Sequence, residues 1–240
     1  YLASFTLRYD QTSRLNTAGY FPAASVGWVL TEEKFFQNMM GENDIFSNIK
    51  LRASWGQQGN QLIGDFSTLS FLGGDKNNAD YDITGSNNSF TQGYRVLSLG
   101  NSNLVWETTT QTNIGIDVAL WDSKLDFSID YFRKQSTDIL TQVPQITALG
   151  EGSLPFANTA SMTNSGIDLN LRYAHRSDNN DFSFNTQFQA SILNNEVTFV
   201  GDERSAAIDP NGDFYLPGLD GPTRIAVGQS FGVFYGYQVD

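Results

Sequence analysis

Apolar and polar residues alternate along much of this chain, and the alternation reverses across tight turns. Ile114, Ile116, Val118 and Leu120 take every second position, a turn follows at Asp122-Ser123-Lys124, and Leu125, Phe127, Ile129 and Tyr131 resume the pattern. Successive side chains of a strand point to opposite faces, so each run has one apolar and one polar face. The same pattern predicts strands over about 1–9 (Ala3, Phe5, Leu7 and Tyr9 together), 20–30 (Val26, Trp28, Leu30) and 48–58 (Ile49, Leu51, Ala53, Trp55). It predicts others over about 105–121, 124–138, 164–176 (Ile167, Leu169, Leu171, Tyr173) and 181–196 (Phe182, Phe184, Phe188, Ala190, Ile192). Lys50, Arg52, Ser54, Asp126 and Asn170 stand on the polar faces. Pro22 belongs near the start of its strand, where a missing N–H is tolerated. Thr31-Glu32-Glu33-Lys34-Phe35-Phe36 predicts a short helix, with Thr31 as cap and the acids in the first turn.

The connections sort by length. Long polar segments at about 59–103, 139–163 and 198–240 alternate with tight turns after the fourth and sixth strands and a compact helical turn after the second. Bacterial outer-membrane barrels divide their loops this way, short in the periplasm and long outside. The predicted fold is therefore all-β: a transmembrane antiparallel β-barrel segment of about seven meander strands, tilted roughly 35–45°. Its apolar face meets lipid and its polar face lines a wet lumen. An odd, open set of strands reads as part of one larger barrel domain, with residues 1–240 an internal segment of it.

Composition narrows the function. Twenty-six acidic against 14 basic residues give a net charge of −12, which leaves no basic footprint for a phosphate backbone and excludes nucleic acid. No cysteine is present, so disulfides and thiolate metal sites are excluded. No apolar run approaches the roughly 20 residues of a spanning helix. The mean hydropathy of −0.31 suits a barrel, because every second residue faces water.

Candidate chemistry is sparse. His175 is the single histidine; on the outward face beside a turn, without a positioned partner, it reads as structural. There is no Gly-x-Ser-x-Gly elbow or metal-binding His pair. Asp209-Pro-Asn-Gly-Asp213 resembles a calcium loop, but Phe214 stands where the tight-turn glycine belongs, so it reads as an Asx-rich turn. No catalytic residue, cofactor site or metal site is expected. Trp28, Trp55 and Trp106 fall near strand ends on apolar parity and are expected to be membrane-interface aromatics; Trp121 breaks parity. Asn77, Asn78, Tyr81, Asn87 and Tyr94 offer amides and rings in the longest loop and are the candidate ligand contacts. Phe231, Phe234, Tyr235 and Tyr237 are the candidates for a partner or for packing against the rest of the protein.

A family resemblance follows the same residues. Gly19-Tyr-Phe-Pro-Ala-Ala-Ser-Val-Gly-Trp28 with Thr31-Glu-Glu-Lys-Phe35, then Leu51-Arg-Ala-Ser-Trp-Gly-Gln-Gln-Gly-Asn60, resemble SusC/RagA-type TonB-dependent transporters. So do Trp106-Glu-Thr-Thr-Thr-Gln-Thr-Asn-Ile-Gly-Ile-Asp117, Asp130-Tyr-Phe-Arg-Lys134 with Thr137-Asp-Ile-Leu140, and Asn164-Ser-Gly166. Asn194-Asn-Glu-Val197 and Gly228-Gln-Ser-Phe-Gly-Val-Phe-Tyr-Gly-Tyr237 complete the series. Each motif alone is weak; their order from end to end is specific. The resemblance implies a barrel of about 22 strands with a plugged lumen in the outer membrane of Bacteroidetes-type bacteria. It implies import of glycans or peptides, a SusD-like surface lipoprotein as lid, and energy through TonB. It places the plug, the TonB-contacting segment and the closing strand outside these residues. Two other readings compete: a non-transporting barrel subunit of a larger envelope complex, and a soluble glycan-binding β-sandwich, which would need two apolar sheet faces packed on each other.

Overall fold

The computed structural model describes residues 1–40, 45–74, 80–85, 90–142, 155–176, 182–201, 207–208, 214–217 and 223–234. Strands β1 (Leu2–Asp10) and β2 (Gly19–Val29) lead through a 3-10 turn (Leu30–Glu32) and helix α1 (Lys34–Met40) into β3 (Phe46–Asn60). Four short strands follow: β4 (Phe71–Gly73), β5 (Tyr81–Asp82), β6 (Phe90–Thr91) and β7 (Arg95–Ser98). Four long ones come next: β8 (Glu107–Leu120), β9 (Leu125–Gln142), β10 (Phe156–Arg176) and β11 (Ser183–Val200). The chain ends in short strands β12 (Ala207–Ile208), β13 (Phe214–Pro217), β14 (Thr223–Ala226) and β15 (Val233–Phe234).

The long strands form one antiparallel sheet in the order β1-β2-β3-β8-β9-β10-β11. This is the expected seven-strand meander, interrupted only by the insertion between β3 and β8. Its register carries the sequence alternation across the whole sheet. Val26 lies beside Ala53, Ala53 beside Ile114, Ile114 beside Tyr131, Tyr131 beside Ile167, and Ile167 beside Ile192. All therefore share one face. Phe5, Leu7, Val26, Ile114, Ile129, Ile167, Phe188 and Ile192 are exposed on it, and no second layer of the described residues covers them. The sandwich reading fails here, because its two apolar faces would have to bury each other. No described helix is long and apolar enough to cross a membrane; a barrel crosses with strands.

The register also sets the strand tilt. The level of Val29 continues through Lys50, Asp117, Ser128, Asn170 and Gln189. The β8–β9 hairpin extends three residues past that level, to Leu120–Leu125, and β10–β11 extends six, to Arg176–Ser183. Three residues per hairpin is about 10 Å along the strands for about 10 Å across two of them, a tilt of roughly 45°. A barrel needs this shear to close.

The loops are shorter than the sequence indicates. The segment expected at 59–103 begins after Asn60 and holds the β4–β7 and β5–β6 pairs. That at 139–163 shrinks because β9 runs to Gln142 and β10 starts at Phe156. That at 198–240 starts after Val200 and contributes the four-stranded sheet β12-β13-β14-β15. In β9 and β10, Thr141, Gln142, Asn158 and Thr159 break the alternation while the backbone ladder continues. Such residues are legible as loop in a sequence yet pair readily above the lipid zone, where both faces are polar.

Candidate functional site

The inner face of the sheet carries an ion-paired network. Arg52 on β3 donates two hydrogen bonds of 2.7 Å to the two carboxylate oxygens of Asp117 on β8, and one of 3.0 Å to Asp130 on β9. The guanidinium reaches two strands away because Gly115 lies between Arg52 and Asp130 in the register. A Cβ at 115 would overlap the Asp130 carboxylate. Asn113 donates to Ser54 (3.1 Å), Arg172 pairs with Asp126 (3.5 Å), Gln187 donates to Asn170 (2.8 Å), and Ser191 donates to Asp168. An open concavity of about 400 Å³ lies over Ser25, Gly27, Lys50, Arg52 and Asn113. The ion-paired side chains are a quarter to a half exposed, so each ion pair contributes modestly to stability, on the order of 1 kcal/mol or less.

The long-loop end is held by a small core of its own. Leu15, Phe21, Ile63, Leu104 and Trp106 are buried together, with Leu140 and Phe156 packed against them. Trp106 is 7% exposed, lies edge-on to Phe21 at 5.5 Å, and donates its indole N–H to the Thr17 carbonyl at 2.8 Å. The expectation that it sits at the membrane interface fails for a simple reason. The β8 ladder begins at Glu107, so strand parity does not reach Trp106, and the ring turns into the loops. Arg14 pairs with Asp65 (2.8 Å), and Asn16 donates to the Ser102 carbonyl (3.1 Å). Asn158 replaces a missing stretch of ladder: its side chain accepts from Val105 N–H (3.0 Å) and donates to the carbonyls of Val105 (3.0 Å) and Asp138 (2.7 Å). Asp138 has φ +56°, at the irregularity where the β9–β10 register shifts.

The insertion continues from this pinned base into the β4–β7 and β5–β6 pairs. Tyr81 and Tyr94 are exposed. Asn77, Asn78 and Asn87 lie outside the described residues. Near the end of the chain, Gly228 and Gln229 bond to the backbone of Val197, and Ser230 and Phe231 bond to Asn195. Ala160, Val197 and Val200 form a second small core there with Ile139 and Ile225. Phe231 and Phe234 are exposed; Tyr235 and Tyr237 lie outside the described residues.

At the tight-turn end, Trp28 points outward, in register with Leu51. It donates its N–H to Glu33 at 2.9 Å and stacks on Tyr1. Glu33 is held below the usual carboxylate range, first by that indole N–H and then by the Tyr1 hydroxyl. Trp55 is exposed on the same outward face, further up β3. Sequence reasoning missed the Arg52 triad and the Asn158 clamp. Opposite charges on neighbouring polar faces were visible, but their pairing depends on a register that skips the insertion between β3 and β8.

An uncovered apolar outside, a hydrogen-bonded polar inside and long loops gathered at one end define a stretch of wall from an outer-membrane β-barrel. The chain belongs to the family described as TonB dependent receptor-like, beta-barrel, whose model matches residues 1–238. It is 32% identical over 241 residues to TonB-dependent receptor P39 of Formosa agariphila, covering 99% of this chain and 20% of that protein. It is 28% identical over 245 residues to TonB-dependent receptor SusC of Bacteroides thetaiotaomicron, covering 99% and 23%. Structures of the RagAB peptide importer in its closed-closed and open-open states match with TM-scores of 0.76 and 0.75 at 22% identity, over 97% of this chain and 23% of theirs. The chain thus spans about a fifth to a quarter of the length of these proteins. The family is one of outer-membrane receptors and transporters, not of enzymes.

Proposed function

We propose that this chain is part of the wall of an active outer-membrane importer of oligomeric nutrients, glycan or peptide, energised through TonB and working with a SusD-like surface lipoprotein. The observation that carries the reading is the contrast at the long-loop end. The loop bases are fixed by the Trp106 core and the Asn158 clamp, while Tyr81 and Tyr94 of the same insertion are exposed. Loops positioned by a rigid scaffold are where binding residues concentrate. The inner wall, with its charges largely paired, presents hydroxyls and amides to cargo. The likeness to a receptor named SusC and to a peptide importer supports the transport class and leaves both cargo chemistries in play.

The test is uptake of labelled oligosaccharide and oligopeptide pools by cells carrying the full-length protein. The expected result is uptake of one pool that stops when TonB is removed and falls in a Tyr81→Ala/Tyr94→Ala double variant. Uptake of neither pool, from a correctly assembled barrel, would favour the scaffold role. TonB-independent uptake would refute the coupling. Unchanged uptake in the double variant would remove these two rings from the binding site.

A further inference from the structure

We propose that α1 is an interfacial foot. Its Phe35–Met39 edge enters the boundary between headgroups and acyl chains of the periplasmic phospholipid leaflet, extending the lipid-facing surface of the wall beyond the ends of β2 and β3.

The placement follows from two ring contacts. Phe35 meets Trp28 at 6.3 Å, and Phe36 meets Phe46 edge-on at 6.5 Å. Trp28 is in register with Leu51, and Phe46 with Leu120; all four belong to the outward apolar face. The helix is therefore fastened to the outside of the wall, not to its lumen side. It joins β2 to β3, at the same end as the tight turns, which is the periplasmic end of a bacterial barrel.

The helix surface divides cleanly. Residues four apart share a face, so Phe35 and Met39 stand together, with Phe36 beside them. Lys34, Gln37 and Asn38 occupy the remainder. Phe36 is half-buried against Phe46, but Phe35 is 55% exposed and Met39 69%. In a chain surrounded by water these side chains would have no reason to be on the surface together. At a bilayer edge they continue the apolar band without a break, and the cationic Lys34 sits on the polar side, toward headgroups. Trp28 fits the same boundary: its one donor is satisfied by Glu33, leaving the ring free to meet lipid. A helix of seven residues is too short to persist alone; the Trp28 and Phe46 contacts hold it against the wall. Continuity with the lipid-facing surface selects lipid over a protein partner as the occupant.

The test uses the full-length protein, with any cysteine outside these residues replaced by serine, in phospholipid vesicles. Single cysteines at 35, 39, 37 and 114 carry an environment-sensitive fluorophore. Lipids bear a quencher either near the headgroup or deep in the acyl chain, and iodide probes water access. Labels at Phe35 and Met39 are expected to be quenched several-fold more by the shallow lipid quencher than the label at Gln37. Ile114, in the middle of the wall, is expected to respond to the deep one. Labels at 35 and 39 that behave like Gln37 toward iodide would overturn the foot, and labels shielded from both quenchers would overturn it in favour of a protein cover. Loss of quenching at Ile114 as well would overturn the membrane placement of the wall itself. Met39 is more exposed than Phe35, so its label keeps the test valid if labelling at Phe35 disturbs assembly.

Discussion

The sharpest consequence of the register is that two residues on one strand must differ greatly in their tolerance of charge. β8 is 14 residues long; at about 3.3 Å per residue and a tilt of roughly 45°, it climbs about 32 Å, close to the full hydrocarbon thickness. Ile114 lies at its centre, outward, between Ala53 and Tyr131, and is 58% exposed. Ile114→Arg would thus set a guanidinium near the bilayer midplane, at a cost of about 2–4 kcal/mol. Gln111, three residues up the strand, points to the lumen, where its amide donates to Asn113 at 3.0 Å. Gln111→Arg stays in water, and a surface change of this kind should cost about 0.5 kcal/mol or less. Equilibrium unfolding of the full-length barrel in phospholipid vesicles, followed by tryptophan fluorescence, measures both. Equal losses would refute the assignment of faces. A harmless Ile114→Arg would refute lipid contact.

Other perturbations separate the remaining elements. Trp106→Phe keeps most of the ring but loses the bond to the Thr17 carbonyl, a loss of about 1 kcal/mol, whereas Trp106→Ala also opens a cavity and should cost about 3–5 kcal/mol locally; limited proteolysis within 61–105 should accelerate in that order. Asn158→Ala removes the partner of the Val105 and Asp138 backbone groups, which lie in reach of water, at about 1 kcal/mol, and should raise hydrogen exchange at Val105 and nearby residues. Asp117→Asn breaks the two-point pairing with Arg52 and should lower stability by about 1 kcal/mol, with high salt narrowing the gap to wild type. Because the folded Glu33 carboxylate titrates below its unfolded value, its contribution is complete above the unfolded value of about 4.3 and fades as pH falls through the folded one. Trp28 emission should therefore stay constant from neutral pH to about pH 5, change only on further acidification, and lose that acid step in Glu33→Gln.

The wall was legible because it repeats one rule. Ile114–Leu120 and Leu125–Tyr131 each state their face, and a tight turn between them leaves no freedom in register. The rim was not legible, because its residues obey local chemistry instead. Trp106 carries outward parity on paper yet sits just outside the ladder. Asn158 acts as a piece of backbone, a role that any strand asparagine could hold. Phe21 is buried across Gly19 and Gly59, where a Cβ would strike its ring; only three-dimensional proximity joins those positions. The Arg52 network falls between these cases. Its charges lie on the predicted polar face, but its geometry required the pairing of β3 with β8 across a loop of more than forty residues.

The same distinction bears on what holds the molecule together. Two small clusters of described residues exclude water, one under the loop bases and one where β11 meets the final short strands, and on the outward face Ile49 and Val118 are buried side by side. Apart from that pair, the sheet has no core on either side. Its inner face is polar and most of its outer face is uncovered, so ladder hydrogen bonds and cross-strand pairs must act together with an apolar environment that the polypeptide does not supply. The bilayer supplies it. Lipid therefore acts on the wall and protein packing acts on the rim, which makes the two parts separable in energy. Evolution or mutation can rebuild Tyr81, Tyr94 and their neighbours without touching the term that inserts the barrel. Damage to Trp106 or Asn158 should loosen the loop bases while leaving the wall in the membrane.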